Sequence, residues 1–181
     1  MKNFFRLFIS CNMLVFLSIP LQAQRASGPI IDQFGVVHQI HEPDFPLDPK
    51  QAYKAVFDIA STPEDPSKIN PQLNTLARFL NMHAQAGVPA ENLAVACAIH
   101  NLASKDALSN EAYQKRYGID NPNLPLLEAL EKAGAKIYIC GQSINSRKID
   151  RNELAEPVKL ALSAMTVLIS MQNDGYRLIS F

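Results

Sequence analysis

Leu93-Ala94-Val95-Ala96-Cys97-Ala98-Ile99 decides the fold of this chain. The run is apolar from end to end, with Gly87-Val88-Pro89 before it and His100-Asn101 after it. A half-exposed strand would alternate apolar and polar residues; an unbroken apolar run marks a strand buried on both faces. Strands of that kind belong to parallel sheets with helices packed on either side. His100 then stands at the carboxyl end of the strand, the edge at which open α/β sheets bind their ligands.

The segments on either side fit that sheet. Upstream, Tyr53-Lys54-Ala55-Val56-Phe57-Asp58-Ile59 alternates as a strand and stops at Ser61-Thr62-Pro63. Asn70-Pro71 reads as a helix cap with proline in the first turn, and Leu73, Leu76, Ala77, Leu80 and Ala84 follow at helical spacing. Downstream, Ser109-Asn110 start a short helix that runs through Tyr117 to Gly118. A second helix spans Pro125 to Ala133, with Leu126, Leu127, Leu130 and Ala133 as its inner face and Gly134 as its stop. Ile137-Tyr138-Ile139-Cys140 is the next strand, and Val158 to Leu162 a fourth. Ser163 caps a helix whose apolar positions are Met165, Leu168, Ile169 and Met171, and Tyr176 to Phe181 forms the last strand. Strands alternating with helices predict an α/β domain, a flavodoxin-like three-layer sandwich with a mainly parallel sheet of about five strands.

That domain covers residues 51–181, and two segments precede it. Residues 1–23 have the layout of a secretory signal peptide: Lys2 and Arg6, an apolar stretch from Leu7 to Ile19, Pro20, and a small residue at the cut after Ala23. The expected location is therefore periplasmic or secreted, with no membrane span after cleavage, since no other apolar stretch approaches the roughly 20 residues that a span needs. Residues 24–50 form a proline-rich arm that drapes over the domain or a neighbouring subunit. Its His38 and His41 lack partner ligands and are expected to be exposed rather than metal-binding. The leader carries two basic residues and no acidic one, so cleavage leaves a slight acidic excess. No basic block remains to bind nucleic acid.

Cleavage also leaves two cysteines, Cys97 and Cys140, both in strand-like runs and expected to be free thiols. Walker, GxGxxG, GxSxG, CxxC and HExxH patterns are all missing, which argues against nucleotide enzymes, the usual serine hydrolases, thioredoxins and zinc proteases. No metal or organic cofactor is expected. The chemistry therefore rests on Cys140-Gly141-Gln142-Ser143-Ile144-Asn145-Ser146-Arg147, read as a loop at a strand end. Gly141 lets the backbone turn and present N–H groups to the sulfur. Gln142, Ser143 and Asn145 offer neutral hydrogen bonds, and Arg147 or Lys148 offers charge that lowers a thiol pKa. From residue types alone, a reactive thiolate and a strand-end cysteine packed beneath its loop stand level. His100 could pair with Cys140 as a nucleophile-activating base, although the residues lean towards a histidine satisfied by a backbone carbonyl. Cys97 reads as core, and Tyr113 and Tyr117 as helix packing.

Three segments together resemble the DsrE/DsrF-like family, particularly its small exported members. They are Leu93 to Tyr117; Asn121-Pro122-Asn123 through the Leu127/Leu130 helix into Ile139-Cys140-Gly141-Gln142-Ser143; and Ala161-Leu162-Ser163-Ala164-Met165-Thr166 onward to Ile179. The resemblance implies a flavodoxin-like fold assembled into trimers or hexamers, and a sulfur-relay cysteine, at the position of Cys140, that accepts persulfide sulfur from a donor protein and hands it to an acceptor. The leading expectation is an exported sulfur carrier or thiol-redox protein, a sulfurtransferase-like role with Cys140 as nucleophile and His100 beside it. The alternative is a non-catalytic oligomeric module that binds a small ligand, with Cys140 lining a pocket between subunits. An enzyme turning over a free small molecule stands third.

Overall fold

The structure, a computed structural model, describes residues 25–181; the leader expected over residues 1–23 lies outside the described residues. Five parallel strands form one sheet: β3 (Tyr53–Ile59), β4 (Leu93–Ile99), β5 (Lys136–Cys140), β6 (Lys159–Ala161) and β7 (Arg177–Ile179), in the order β6-β5-β4-β3-β7. A two-stranded antiparallel ribbon in the arm supplies β1 (Arg25–Ala26) and β2 (Val37–His38). The helices are α1 (Pro71–Gln85), α2 (Asn110–Tyr117), α3 (Leu124–Lys132), α4 (Gly141–Ser146) and α5 (Ala164–Asn173). The α/β sandwich expected from the alternation of strands and helices is the observed architecture.

The central strand β4 pairs with β3 from Leu93 to Ile99 and with β5 from Ala96 to Ile99. Its residues alternate between two cores. Val95, Cys97 and Ile99 face Leu73, Leu76 and Leu80 of α1 and Leu126, Leu127 and Leu130 of α3. Each fully buried leucine there contributes on the order of 2 kcal/mol. Ala96 and Ala98 face the other way, in a smaller core with Val56, Cys140 and the Ala164, Val167 and Met171 positions of α5. Alanines on this face leave room for α5 to lie close to the sheet.

This packing keeps Leu168 and Met171 on the expected inner face of α5 and corrects the other two positions. Met165 and Ile169 are 71% and 60% exposed, while Ala164, Val167 and Met171 are buried. Ser163 fixes the phase of the helix by accepting a hydrogen bond from the Thr166 N–H at 3.1 Å, and that phase turns the smaller residues towards the β4 alanines. The two edge strands are also shorter than the apolar runs that predict them, because each has a neighbour on one side only.

The arm lies on the α1 side of the sheet, where two asparagines two turns apart hold it. Asn81, fully buried, accepts from the Ile31 N–H at 2.9 Å and donates to the carbonyls of Ile31 and Phe34 at 2.9 and 3.0 Å. Asn74 accepts from the Gly35 N–H at 2.9 Å. Gly35 has φ +68, and a Cβ there would lie 2.4 Å from the backbone of Ala77, so only glycine lets the arm approach this closely. His38 and His41 are exposed, and no group of three metal-ligating side chains occurs among the described residues.

Asn121-Pro122-Asn123 is a buried clasp. The Asn123 side chain accepts from the Asn70 N–H at 2.7 Å, and Asn70 caps α1 while donating to Asp106 at 2.7 Å. Asn121 donates to the carbonyls of Asp106 and Leu108. This network fixes the 3₁₀ segment Asn101–Ala107 that follows His100 at the carboxyl edge of the sheet.

Candidate functional site

Cys140 ends β5 and is also the N-cap residue of α4. The chain does not open into the expected loop; it turns directly into a short helix over Gly141–Ser146. Gly141 has no left-handed φ to accommodate. What it provides is clearance: a Cβ there would stand 2.8 Å from the Ala161 carbonyl oxygen and 3.3 Å from that of Leu162. Glycine therefore lets α4 start flush against β6, which pairs with β5 at Cys140↔Ala161.

The sulfur is nearly buried, at 6% exposure, on the face covered by α5. Burial by itself pushes a thiol up. Here burial is outweighed by hydrogen bonds from the Ser143 hydroxyl and from the backbone N–H groups of Ala164, Ser143 and Gln142, and the Cys140 thiol is held below its ordinary value. Two of those N–H groups belong to the first turn of α4 and one to the first turn of α5. The starts of two helices thus lie around one sulfur and lower its thiol, although Cys140 makes no side-chain capping hydrogen bond to α4. The Ser143 Oγ accepts from the Asn101 N–H at 3.1 Å, which leaves its own hydroxyl hydrogen uncommitted on the side of Cys140.

Cys97 has the opposite environment. It is fully buried on the other face of the sheet, and burial pushes its thiol up to about 12, against a single backbone hydrogen bond from Tyr138. Both cysteines are free, and the sheet itself lies between them.

His100 follows Ile99, which registers with Ile139, so His100 and Cys140 occupy matching positions on neighbouring strands about 4.8 Å apart. Alternation along β4 gives His100 the same face as Ala98, the Cys140 face. The imidazole is not satisfied by a backbone carbonyl, as the residues alone suggested. Its Nε2 lies 2.7 Å from Oδ1 of Asp58, near the carboxyl end of β3, with both side chains about a quarter exposed. In the neutral ring this contact places the proton on Nε2 and leaves Nδ1 as an acceptor.

Asp58 was missed in the sequence. The available signal is a carboxylate inside the otherwise apolar run Ala55-Val56-Phe57-Asp58-Ile59.

The remaining candidates divide. Gln142 contributes its N–H to the sulfur and donates its side-chain amide to the Leu162 carbonyl at 3.2 Å, which ties α4 to the α5 approach. Asn145 is exposed, and its side chain makes no hydrogen bond among the described residues. Arg147 stands at the far end of α4 and donates to the Asn101 side chain at 3.1 Å, so the cationic help expected from it does not reach Cys140. Lys148 is likewise exposed and is not among the groups acting on the sulfur. Six residues of helix carry both side chains away from the N-terminus where the sulfur lies.

Fold and site together define an α/β protein with a helix-capped thiol at the carboxyl edge of a parallel sheet. The chain belongs to the DsrE/DsrF-like family, whose model matches residues 54–181. No curated protein matches it. Among solved structures, MTH1491 from Methanobacterium thermoautotrophicum, a protein of unknown function, is similar at 16% identity over 71% of this chain and 99% of its own, with a TM-score of 0.51. The ychN protein from E. coli is similar at 16% identity over the same shares, with a TM-score of 0.48. At this identity the MTH1491 likeness supports the fold alone.

Proposed function

We propose that the protein is an exported, homo-oligomeric carrier of sulfane sulfur, held as a persulfide on Cys140. The observation that carries this reading is the place of Cys140, nearly buried at the carboxyl end of β5 and at the N-cap of α4, with its thiol held low by the polar groups around it. The Cys140 thiolate attacks the terminal sulfur of a donor persulfide, forming a new S–S bond. The donor's own S–S bond breaks, and the donor leaves as a thiolate. In the second half, an acceptor thiolate attacks the terminal sulfur and Cys140 departs as a thiolate into the same donors. No net oxidation or reduction occurs. The Asp58–His100 pair stands on the neighbouring strands at the same edge of the sheet, which suits it to move a proton to or from the attacking or leaving group.

Self-association fits the exposed apolar side chains of Leu162, Met165 and Ile169, which lie next to the site and have no partner in one protomer. The same rim also suits the rival reading, a small-ligand module in which Cys140 only lines a pocket between subunits.

The test is loading with an inorganic polysulfide followed by intact mass measurement. One added sulfur atom is expected on the wild-type chain and on Cys97→Ser, none on Cys140→Ser, and slower loading on Asp58→Asn. Loading that ignores Cys140→Ser sinks the carrier reading. An unloaded Cys140 that still shapes a ligand pocket favours the rival.

A further inference from the structure

We infer that a second site lies apart from the thiol: a cleft between the 3₁₀ segment Asn101–Ala107, the end of α2 and the end of α4, built to bind a small organic carboxylate with an apolar body. The cleft holds about 350 Å³, within the range of small-molecule sites. Leu102, Tyr117 and Ile149 form apolar walls, and three cations, Lys105, Arg116 and Arg147, reach its lining.

Two of these cations lack a hydrogen-bonded carboxylate. Arg116 is satisfied, gripping Glu153 with both guanidinium nitrogens at 2.7 and 2.9 Å. Lys105 Nζ is shut off from solvent and has no hydrogen-bond partner among the described residues. It sits 5.7 Å from the Tyr117 ring centroid, and its nearest carboxylate oxygen, on Asp106, is 3.9 Å away. That carboxylate is already occupied by Thr62 at 2.9 Å, Asn70 at 2.7 Å and Asn123 at 3.3 Å. A buried ammonium without an acceptor is costly, and a nearby anion relieves it. Arg147, exposed, makes one side-chain hydrogen bond, to the neutral Asn101 amide, and has no carboxylate partner among the described residues. Its planar fork is free to take a carboxylate with two parallel hydrogen bonds.

The class of ligand follows from the balance of charge and wall. Glu64 lines the same cleft and Asp106 lies behind it, so the field suits a single negative charge rather than a phosphate or other polyanion. The apolar walls call for a hydrocarbon or aromatic body behind the carboxylate. In this arrangement Arg147 grips the ligand, and Lys105 supplies charge through the wall.

The probe is sodium benzoate, titrated into isotope-labelled full-length protein at constant ionic strength, with benzamide as the uncharged control. Saturable amide shifts are expected at Leu102, Tyr117 and Ile149 with benzoate and not with benzamide. Arg147→Gln, a surface change, weakens benzoate about tenfold, the size of one lost charge-assisted pair. Lys105→Met weakens it by a smaller factor, with a thermal melt confirming that the variant stays folded once Asp106 loses its cation. Cys140→Ser, which abolishes sulfur loading, leaves benzoate affinity in place, so this site and the carrier reading fail separately. Benzamide binding as well as benzoate, shifts that miss the cleft, or an Arg147→Gln affinity equal to wild type overturns the proposal.

Discussion

His100 and Asp58 meet at 2.7 Å across neighbouring strands, on the same face of the sheet as Cys140. Three adjacent strands each deliver one group to that edge: Asp58 from β3, His100 from the end of β4, Cys140 from β5. Their common face depends on register, because a slip of one residue in any strand turns its group into the opposite core. The buried apolar residues between them are what hold that register.

Ser143 is the donor that a substitution can remove without disturbing the backbone. Ser143→Ala leaves the N–H groups of Gln142, Ser143 and Ala164 in place and deletes the hydroxyl that lowers the Cys140 thiol. The thiol pKa then rises, and alkylation by iodoacetamide at neutral pH slows about threefold to tenfold, as expected for one lost hydrogen bond to a charged sulfur. Above both pKa values the two rates converge. Cys97, with its thiol at about 12, stays unmodified in the folded protein throughout.

Gly141→Ala puts a methyl group 2.8 Å from the Ala161 carbonyl oxygen, a contact with backbone that has to move. Overpacking of this kind costs about 1–3 kcal/mol. Urea denaturation should show that loss, and the Cys140 alkylation curve should shift to higher pH as α4 moves off the sulfur. An unchanged midpoint would mean that β6 yields freely here.

Asn81→Ala removes the side chain that satisfies backbone groups of the arm at Ile31, Phe34 and Gly35. The arm then undocks from α1, with a stability loss of about 2 kcal/mol. Limited proteolysis reads this directly as new cleavage between residues 28 and 50. Cys140 alkylation should not change, since the arm packs on the opposite side of the sheet.

Glu153 carries the clearest acid dependence. The Arg116 guanidinium, helped by the Asp150 N–H, holds its carboxyl at about 2, against an ordinary value of 4.5. A carboxylate depressed on folding contributes stability above the unfolded value, and that contribution is lost as pH falls from about 4.5 towards 2. The pair is partly solvated, so screening limits it to about 0.5–1 kcal/mol. Glu153→Gln should therefore be less stable than wild type at neutral pH and converge with it in acid, by thermal melts across that window.

The sheet was legible because its signals are local. Tyr53–Ile59 and Leu93–Ile99 are read with their observed bounds, and Asn70, Ser109 and Ser163 cap the helices they are expected to cap. The misses all concern what one element does to another. The α4 helix is too short to show a period, and Gly141 is demanded by a carbonyl on β6 rather than by its own backbone. Met165 and Ile169 satisfy a helical apolar pattern as well as Val167 and Met171 do, and only the small face of β4 decides between them. Arg147 is close to Cys140 in sequence yet a helix length away, whereas Ala164, distant in sequence, donates to the sulfur. Asp58 gains its meaning from His100, 42 positions on.

The placement of Cys97 and Cys140 on opposite faces of the sheet has a consequence for the life cycle of the reactive sulfur. Among the described residues Cys97 is the other thiol, and with the sheet between them these two cannot discharge Cys140 by closing a disulfide. An adduct on Cys140 therefore outlasts any exchange with Cys97 and waits for a thiol from elsewhere. On the proposed carrier reading, turnover at Cys140 is bimolecular, and its clock is set by encounter with a partner rather than by exchange with Cys97.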